Sequence, residues 1–289
     1  MKKRDSTLIL IAFFFVGLSV LLYPTVSNYY NSFHQTKAVA NYNANLANLT
    51  EEDDAAYLQA AEKYNTNLLA RGVSSFNLTS AENEEYNKLL NIDGSGMMGY
   101  LSIKKLGIQL PIYHGTSDSV LAAGIGHLAG SSLPAGGTGT HCVLSGHRGL
   151  PSAKLLTDLD QMEAGDTFVL TILNETLTYE VDQILIVDPD DTSALTIDPK
   201  EDYCTLFTCT PYGINTQRLL VRGHRIETPD EIMIISDARR IDPLLVAPMI
   251  AAPILLILLI WLLASTRQPK NFGGPGRRKK KREVAKPFE

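Results

Sequence analysis

Two long apolar segments flank a central region in which polar and apolar residues alternate at short range. The first, 8–26, holds only apolar, small or neutral polar residues and follows a basic start. The second, 244–264, runs for 21 residues without a charge. At about 1.5 Å per residue it spans roughly 31 Å, the hydrocarbon thickness of a bilayer. Basic residues at 277–282 follow it. Because basic flanks stay in the cytoplasm, the pattern predicts two transmembrane helices, cytoplasmic termini and an external central region.

The first segment also has the length of a cleaved signal peptide. No small-x-small cleavage motif follows it closely, since Ala38-Val-Ala40 is distant. An uncleaved anchor is therefore the favoured interpretation, with cleavage as the alternative. For the second segment, a buried core helix is a poor alternative, because no polar face exists along it.

Residues 27–91 have the pattern of a helical extension. Apolar positions recur at roughly helical spacing in two stretches, near 51–70 and 80–90. Small and polar residues over 71–80 separate these stretches and predict a loop. The simplest interpretation is a stalk that lifts the following domain off the membrane.

From residue 97 the pattern changes to short β-branched and apolar runs. Turns that carry Gly or Pro separate the runs, as at 129–140 and 188–191. A short helical crossover is expected at 155–162, and few long amphipathic helices interrupt the rest. The residues therefore predict a mainly β fold, a mostly antiparallel or mixed barrel of about eight strands.

The chain accordingly divides into segments with different roles. Their bounds are 1–26 (basic cytoplasmic start and anchor), 27–91 (helical extension), 92–236 (β-barrel domain), 237–243 (linker), 244–264 (second membrane helix) and 265–289 (basic cytoplasmic tail).

The charge of the external part excludes one class of partner. Residues 6–241 contain 14 basic and 27 acidic side chains, a formal net charge of −13. A surface this acidic disfavours nucleic-acid binding. The basic tail, by contrast, sets the membrane topology and is suited to contact anionic lipid.

The three cysteines are an odd number, so at least one is unpaired within the chain. Cys204 and Cys209 are five residues apart, which on a regular strand places them on opposite faces. A disulfide between Cys142 and Cys204 is the pairing left open. No Cys-x-x-Cys or His-x-x-x-His spacing occurs, so neither a metal site nor a cofactor is predicted.

The candidate chemistry lies between residues 203 and 225. Two strand-like runs flank the turn-forming residues 210–215, so Cys209 ends one strand and Arg218 begins the next. In antiparallel neighbours these side chains meet with roughly 5 Å between their Cβ atoms. A fixed cation stabilises the thiolate, which is the nucleophilic form. Cys209 and Arg218 are therefore the candidate catalytic pair. The alternative for Cys209 is a small buried hydrophobic residue, and the alternative for Arg218 is a surface charge.

A thiol nucleophile usually works with a histidine that exchanges a proton. Among the six histidines, His147 is the first candidate. It lies in a Gly-His-Arg-Gly sequence, whose two glycines let the backbone turn and expose the ring. His224 lies in a similar Gly-His-Arg phrase and stays a second candidate. The residues alone also leave open His114, His127 and His141.

Longer motifs at these positions resemble a known family. Thr205 to Cys209, TLFTC, is similar to the TLxTC signature of the sortases, and the nine-residue step from Cys209 to Arg218 matches their Cys-to-Arg spacing. The runs GSSLPAGG, LSGHRGLPSAKLLTDLD and TCTPYGINTQRLLVRGHR resemble class C, the pilin-polymerising sortases. The resemblance implies a closed eight-stranded sortase barrel with an N-terminal helical extension, flanked by two transmembrane helices. It also places the family's catalytic histidine on His147.

The resemblance implies a cysteine transpeptidase in the cell membrane with an extracellular catalytic domain. Its partners would be pilin subunits that bear an LPXTG-like sorting signal and an acceptor lysine. Cys209 would form a thioester with the signal threonine, and the lysine amine of another pilin would resolve it. The alternatives are a housekeeping-type sortase that attaches proteins to peptidoglycan, a non-catalytic assembly scaffold and a Cys-His peptidase.

One part of the sequence departs from the class C pattern. Members of that class often carry an Asp-Pro-aromatic lid motif over the active site, and residues 73–79 here read VSSFNLT instead. The aromatic residue in this stretch is Phe76, which is therefore the candidate lid residue.

Overall fold

The structure, a computed structural model, describes residues 3–71, 76, 78–229 and, farther along, 254, 255, 257, 258 and 260. The helices with defined bounds are α1 Lys3–Leu46, α2 Glu51–Ala70, α3 Ser80–Tyr86 and α4 Asp118–Ala123. The strands are β1 Met97–Ile103, β2 Ile108–His114, β3 Ile125–His127, β4 Thr140–Ser145, β5 Thr167–Ile172, β6 Glu175–Val187, β7 Asp202–Thr210 and β8 Gln217–Ile226.

The first apolar segment is helical, and it belongs to the long helix α1. Its apolar side chains are exposed, among them Phe13 at 72% and Leu21 at 74%. By length and composition α1 can cross a membrane. Lipid is the environment that favours such a surface, since apolar groups exposed to water are costly.

Helix α1 continues past the predicted end of the anchor at Val26 as far as Leu46. The residues after the anchor are rich in Asn and Ala, and their few apolar positions did not predict a helix there. Tertiary packing accounts for its stability, because Val39 and Tyr42 are buried against Met97 at the start of β1.

The predicted helices near 51–70 and 80–90 are both present. Each begins with a capping box in which a threonine and an acidic residue exchange hydrogen bonds: Thr50 with Asp53, and Thr79 with Glu82. Helix α2 has the predicted bounds, whereas α3 ends at Tyr86, because a turn replaces its expected last residues.

The eight strands close into a barrel in the order β1-β2-β3-β4-β7-β8-β6-β5. The pairs β2–β3 and β4–β7 are parallel, and the others are antiparallel. The predicted mainly β, mixed eight-stranded barrel is therefore confirmed. Its interior is filled by apolar side chains that are almost completely buried, including Leu101, Ile112, Ile125, Leu144 and Phe168.

Three short elements differ from the sequence prediction. Strand β3 has three residues, which is too short to produce a visible alternation, and α4 before it has six. The helical crossover expected at 155–162 is reduced to a 3₁₀ turn at Leu159–Gln161. Leu155, Leu156 and Leu159 in this stretch are buried in the core, so the apolar pattern there reflects packing rather than an α-helix.

Most of the predicted second membrane helix, 244–264, lies outside the described residues, as do the linker and the basic tail. The positions described within it are helical, and Ile254, Ile257 and Leu258 are exposed.

Candidate active site

Strands β7 and β8 hold the predicted cysteine and arginine side by side. In their antiparallel register Cys209 lies directly opposite Arg218. Cys204 and Leu206 face the barrel interior with 0% exposure, so the alternation of side chains places Cys209 on the outer face. Leu219 is likewise part of the core, which places Arg218 on the outer face of β8. The two side chains therefore project from the same surface of the sheet.

Local backbone groups orient Arg218. Its Nη1 donates to the carbonyl oxygens of Asn215 at 3.3 Å and Gln217 at 3.1 Å, both in or beside the loop between β7 and β8. The ion pairs found among the described residues involve other cations. Within the described part of the chain, the positive charge of Arg218 is thus held at the site without an ion pair to a carboxylate.

His147 lies two residues after the end of β4, which pairs in parallel with β7. The Gly146 N–H donates to the carbonyl of Phe207 at 3.1 Å. The Thr208 hydroxyl donates to the Gly146 carbonyl at 2.7 Å, and this bond is buried. Gly146 is therefore hydrogen-bonded to the two residues that precede Cys209. Because His147 follows Gly146 directly, it lies at the cysteine end of β7.

Arg148 makes a second connection on the far side of His147. Its guanidinium donates to the Thr210 hydroxyl at 3.1 Å, the Thr157 carbonyl at 3.1 Å and the Asp160 carboxylate at 2.5 Å. Its side chain is 9% exposed. The neighbours of His147 on both sides are therefore bonded to the neighbours of Cys209. Sequence reasoning missed Arg148, although its place beside the candidate histidine was a usable signal.

A contact between two loops closes this region. Gly149 has a φ of +75°, and a Cβ at that position would come within 3.1 Å of the Tyr212 ring. The Tyr212 side chain is otherwise 61% exposed. Glycine is required here both for its backbone angle and for the close approach of the ring.

His224 lies far from the cysteine. It is opposite Tyr203 in the β7–β8 ladder, six positions from the rung of Cys209 and Arg218. Six residues of extended strand correspond to about 20 Å. The structure therefore brings His147, and not His224, to the cysteine end of the ladder.

Three other histidines are held in structural hydrogen bonds. His127 lies 2.9 Å from the Tyr86 hydroxyl and 2.8 Å from the Ser132 carbonyl. His141 lies 2.7 Å from the Thr205 hydroxyl and 2.9 Å from the Thr196 carbonyl. The ring nitrogens of His114 lie 2.8 Å from the carbonyls of Gly96 and Leu89. Burial lowers the pKa of His114 and of His141.

Cys142 and Cys204 lie opposite each other in the β4–β7 pair, inside the barrel. Both are free cysteines, so the disulfide that the sequence left open is not formed. Burial raises the pKa of the Cys204 thiol well above its usual range, and the adjacent Cys142 reinforces the shift. Both sulfurs are closed off from solvent inside the barrel, whereas Cys209 is partly exposed and accessible to a substrate.

An apolar surface extends from Cys209 along the outer face. Phe207, on the same face of β7, packs against three buried residues: Val143, Leu195 and Leu220. Leu128, Leu185 and Val187 surround them. We call this set the outer apolar cluster. Phe76, in the stretch between α2 and α3, also packs against it.

Comparison with known proteins identifies the family of this chain. A family model described as the sortase domain matches residues 101–226. The crystal structure of sortase C1 from Streptococcus agalactiae is 50% identical and superposes with a TM-score of 0.65, covering 67% of this chain and 100% of that chain. The chain belongs to the sortase family. Within that family its structural neighbours place it in class C.

Two further relatives extend the comparison. The structure of Clostridium perfringens sortase C with the C-terminal cell wall sorting motif is 42% identical, with a TM-score of 0.59 and coverage of 67% of this chain and 100% of that one. Sortase D of Bacillus subtilis is 34% identical over 131 residues, which are 44% of this chain and 63% of that protein. Sortases are cysteine transpeptidases, and the residues that match the family model, 101–226, include the strands that carry Cys209 and Arg218.

Proposed function

We propose that this protein is a pilin-polymerising transpeptidase that acts on an LPXTG-like sorting signal. The observation that carries the proposal is the convergence at one end of the barrel. Cys209 and Arg218 share a rung and a face, and hydrogen bonds on both sides of His147 hold it beside the same strand. A thiol, a proton carrier and a fixed cation are the groups that acyl transfer through a thioester requires.

In the first half-reaction the Cys209 thiolate attacks the carbonyl carbon of the threonine in the sorting signal. A C–S bond forms, the C–N bond to glycine breaks, and the departing amine takes a proton from the His147 imidazolium. The products are a thioester on Cys209, the glycine side of the signal and a neutral imidazole.

In the second half-reaction a lysine amine of another pilin attacks the thioester carbon. The C–S bond breaks, an isopeptide bond forms, and neutral His147 accepts the proton that the amine loses. Cys209 returns as a thiolate and His147 as imidazolium, so the cycle closes without a cofactor.

Arg218 would hold the oxygen on which negative charge develops. Replacing it by lysine should lower kcat/KM by about 100-fold, because an ammonium lacks the planar fork of donors. Arg222→Lys is the matched control, since Arg222 is four residues along the same strand and pairs with Asp182 at 2.7 Å. Single-turnover acylation by a sorting peptide measures both variants. Equal rates for Arg218→Lys and Arg222→Lys would remove Arg218 from the mechanism.

The outer apolar cluster is suited to the leucine and proline side chains of the sorting signal, because it lies on the face that presents Cys209. Phe76 packs on this cluster and would therefore compete with the substrate, as a lid does. Burying a phenylalanine side chain would stabilise the covered form of the cluster by about 1.5–3 kcal/mol. Each 1.4 kcal/mol changes the equilibrium constant between the covered and open forms about tenfold.

Phe76→Ala should therefore lower the apparent KM for a sorting peptide by about 10-fold and leave kcat nearly unchanged. Leu195→Ala is the contrasting variant, since it removes apolar surface from the cluster itself and should raise KM. Steady-state kinetics with a fluorogenic sorting peptide distinguish the two. A KM for Phe76→Ala that is unchanged or higher would contradict the lid role.

The membrane placement follows from the same proposal. Helix α1 and the predicted second membrane helix, 244–264, would anchor the enzyme with both termini in the cytoplasm and the barrel outside. Tethering enzyme and pilins to one membrane raises their effective concentration and favours the amine over water as acceptor. Anionic lipid would contact the basic tail.

The decisive experiment incubates the full-length enzyme with a purified pilin that carries both the signal and the acceptor lysine. A ladder of covalent multimers is expected on denaturing gels, together with an acyl adduct on Cys209 in mass spectrometry. Single conjugates to peptidoglycan fragments, without ladders, would indicate a housekeeping sortase. The absence of any adduct would indicate a scaffold, and hydrolysis unaffected by added amines would indicate a peptidase.

A further inference from the structure

Helix α1 reaches the loop that follows His147. The Asn28 side-chain oxygen accepts a hydrogen bond from the Lys154 N–H at 2.7 Å. One turn farther on, the Asn31 side-chain nitrogen donates to the Ser152 carbonyl at 2.7 Å. Two asparagines on one face of the helix therefore hold the backbone of residues 152–154, one by accepting from an N–H group and the other by donating to a carbonyl.

This stretch is connected to His147 in a few steps. Ala153, between the two bonded residues, is buried in the core. The Leu156 N–H donates to the His147 carbonyl at 3.2 Å, and Leu156 is itself 0% exposed. A displacement of residues 152–154 would therefore move the amide that holds the His147 backbone.

Helix α1 is also fixed to the barrel beyond the two asparagines. Gln35 donates to the Ala123 carbonyl at 3.2 Å. The buried Tyr42 hydroxyl donates to the Met98 carbonyl at 2.8 Å and accepts from the Leu173 N–H at 2.8 Å. Helix α1 is continuous from the apolar segment to Leu46. Asn28 and Asn31 therefore lie just after that segment ends at Val26, on a helix that these hydrogen bonds fix to the barrel.

We propose that Asn28 and Asn31 are positioning residues for His147, through which the membrane-proximal part of α1 sets the geometry of the active site. The inference rests on the proposed function, since it gives His147 its role in proton transfer. Neither asparagine approaches the outer apolar cluster through these bonds, so their loss should affect the chemical step rather than peptide binding. A misplacement of a catalytic group by about 1 Å can cost up to about 100-fold in rate.

The test uses the full-length enzyme in nanodiscs of phosphatidylcholine and phosphatidylglycerol. Asn28→Ala/Asn31→Ala should lower kcat for a sorting peptide by about 10-fold with little change in KM. Hydrogen exchange of the amides in 148–156 should be faster in the same variant. The matched control is Asn41→Ala/Asn43→Ala, which makes the same change at exposed positions of the same helix.

Two single variants sharpen the assignment, because the asparagines have opposite hydrogen-bonding roles. Asn28→Asp keeps an oxygen that accepts from Lys154 and should retain the wild-type kcat. Asn31→Asp loses the N–H donor and sets a carboxylate against the Ser152 carbonyl, so it should be impaired.

Equal kcat and equal exchange in the Asn28/Asn31 and Asn41/Asn43 double variants would overturn the inference and leave the proposed function intact. Impairment by Asn28→Asp together with tolerance of Asn31→Asp would also overturn it. Failure of the proposed function is separate, because it appears as a wild-type enzyme without acyl transfer. The exchange measurement still reports in that case whether the two asparagines hold the loop.

Discussion

Cys209→Ala should abolish acyl transfer completely, because no other described thiol is placed to form the thioester. Cys209 is partly exposed on the outer face, whereas Cys142 and Cys204 are buried inside the barrel at 2% and 0% exposure. A sorting signal cannot reach a buried sulfur without opening the core. Intact-mass spectrometry after incubation with a sorting peptide should show an adduct on the wild type and none on the variant.

The controls for this prediction are the other two cysteine variants. Cys142→Ala and Cys204→Ala each remove a single sulfur from the core, which costs some stability but leaves the outer face unchanged. Both should keep most of the transfer activity and still form the adduct. An adduct on Cys209→Ala, or its loss from Cys204→Ala with the fold intact, would assign the nucleophile elsewhere.

The adjacency of Cys209 and Arg218 could be predicted because it is local in sequence. A short run of turn-forming residues joins two strand-like runs, and the register of such a hairpin places the residues at its ends opposite each other. The barrel itself was equally accessible, since short β-branched and apolar runs predicted its strands, as in the six residues of β5, which alternate between partly exposed and buried positions.

The choice between His147 and His224 could not be made from local sequence, because both lie in a Gly-His-Arg phrase. The parallel pairing of β4 with β7 places His147 nearer the cysteine end of the ladder, and that pairing joins residues about 60 positions apart, such as Ser145 and Phe207. Motif resemblance favoured His147 where spacing left both histidines open. The place of Arg148 beside His147 was a local signal, but its hydrogen bond to Thr210 joins residues 62 positions apart and could not be predicted.

The second half of α1 was unpredictable for a different physical reason. Its helicity depends on a few contacts with the barrel, such as the buried Tyr42 hydroxyl between Met98 and Leu173. The amphipathic pattern of an Asn- and Ala-rich segment is too weak to predict a helix packed in this way. The bonds from Asn28 and Asn31 to the His147 loop are likewise visible only when both partners are placed in space.

His147→Ala should lower kcat/KM for peptide transfer by about 10²–10⁴-fold, the usual contribution of a positioned acid or base. The loss should be smaller than for Cys209→Ala, since water can exchange the proton slowly but cannot form the thioester. His224→Ala is the matched control and should stay near wild type, because His224 lies about 20 Å along the ladder. Retained activity in His147→Ala with loss in His224→Ala would reverse the assignment.

Changing the leaving group tests whether His147 acts as a general acid, and not only whether the residue is needed. In a peptide the glycine nitrogen must be protonated as the C–N bond breaks, and this is the proton that His147 would supply. In a depsipeptide with an ester at the same bond, the leaving oxygen depends less on an acid. The acylation defect of His147→Ala should therefore be several-fold smaller with the ester than with the amide in single-turnover experiments. An equal defect on both substrates would mean that His147 only supports the structure around Cys209, because a misplaced thiolate would attack both carbonyls equally poorly.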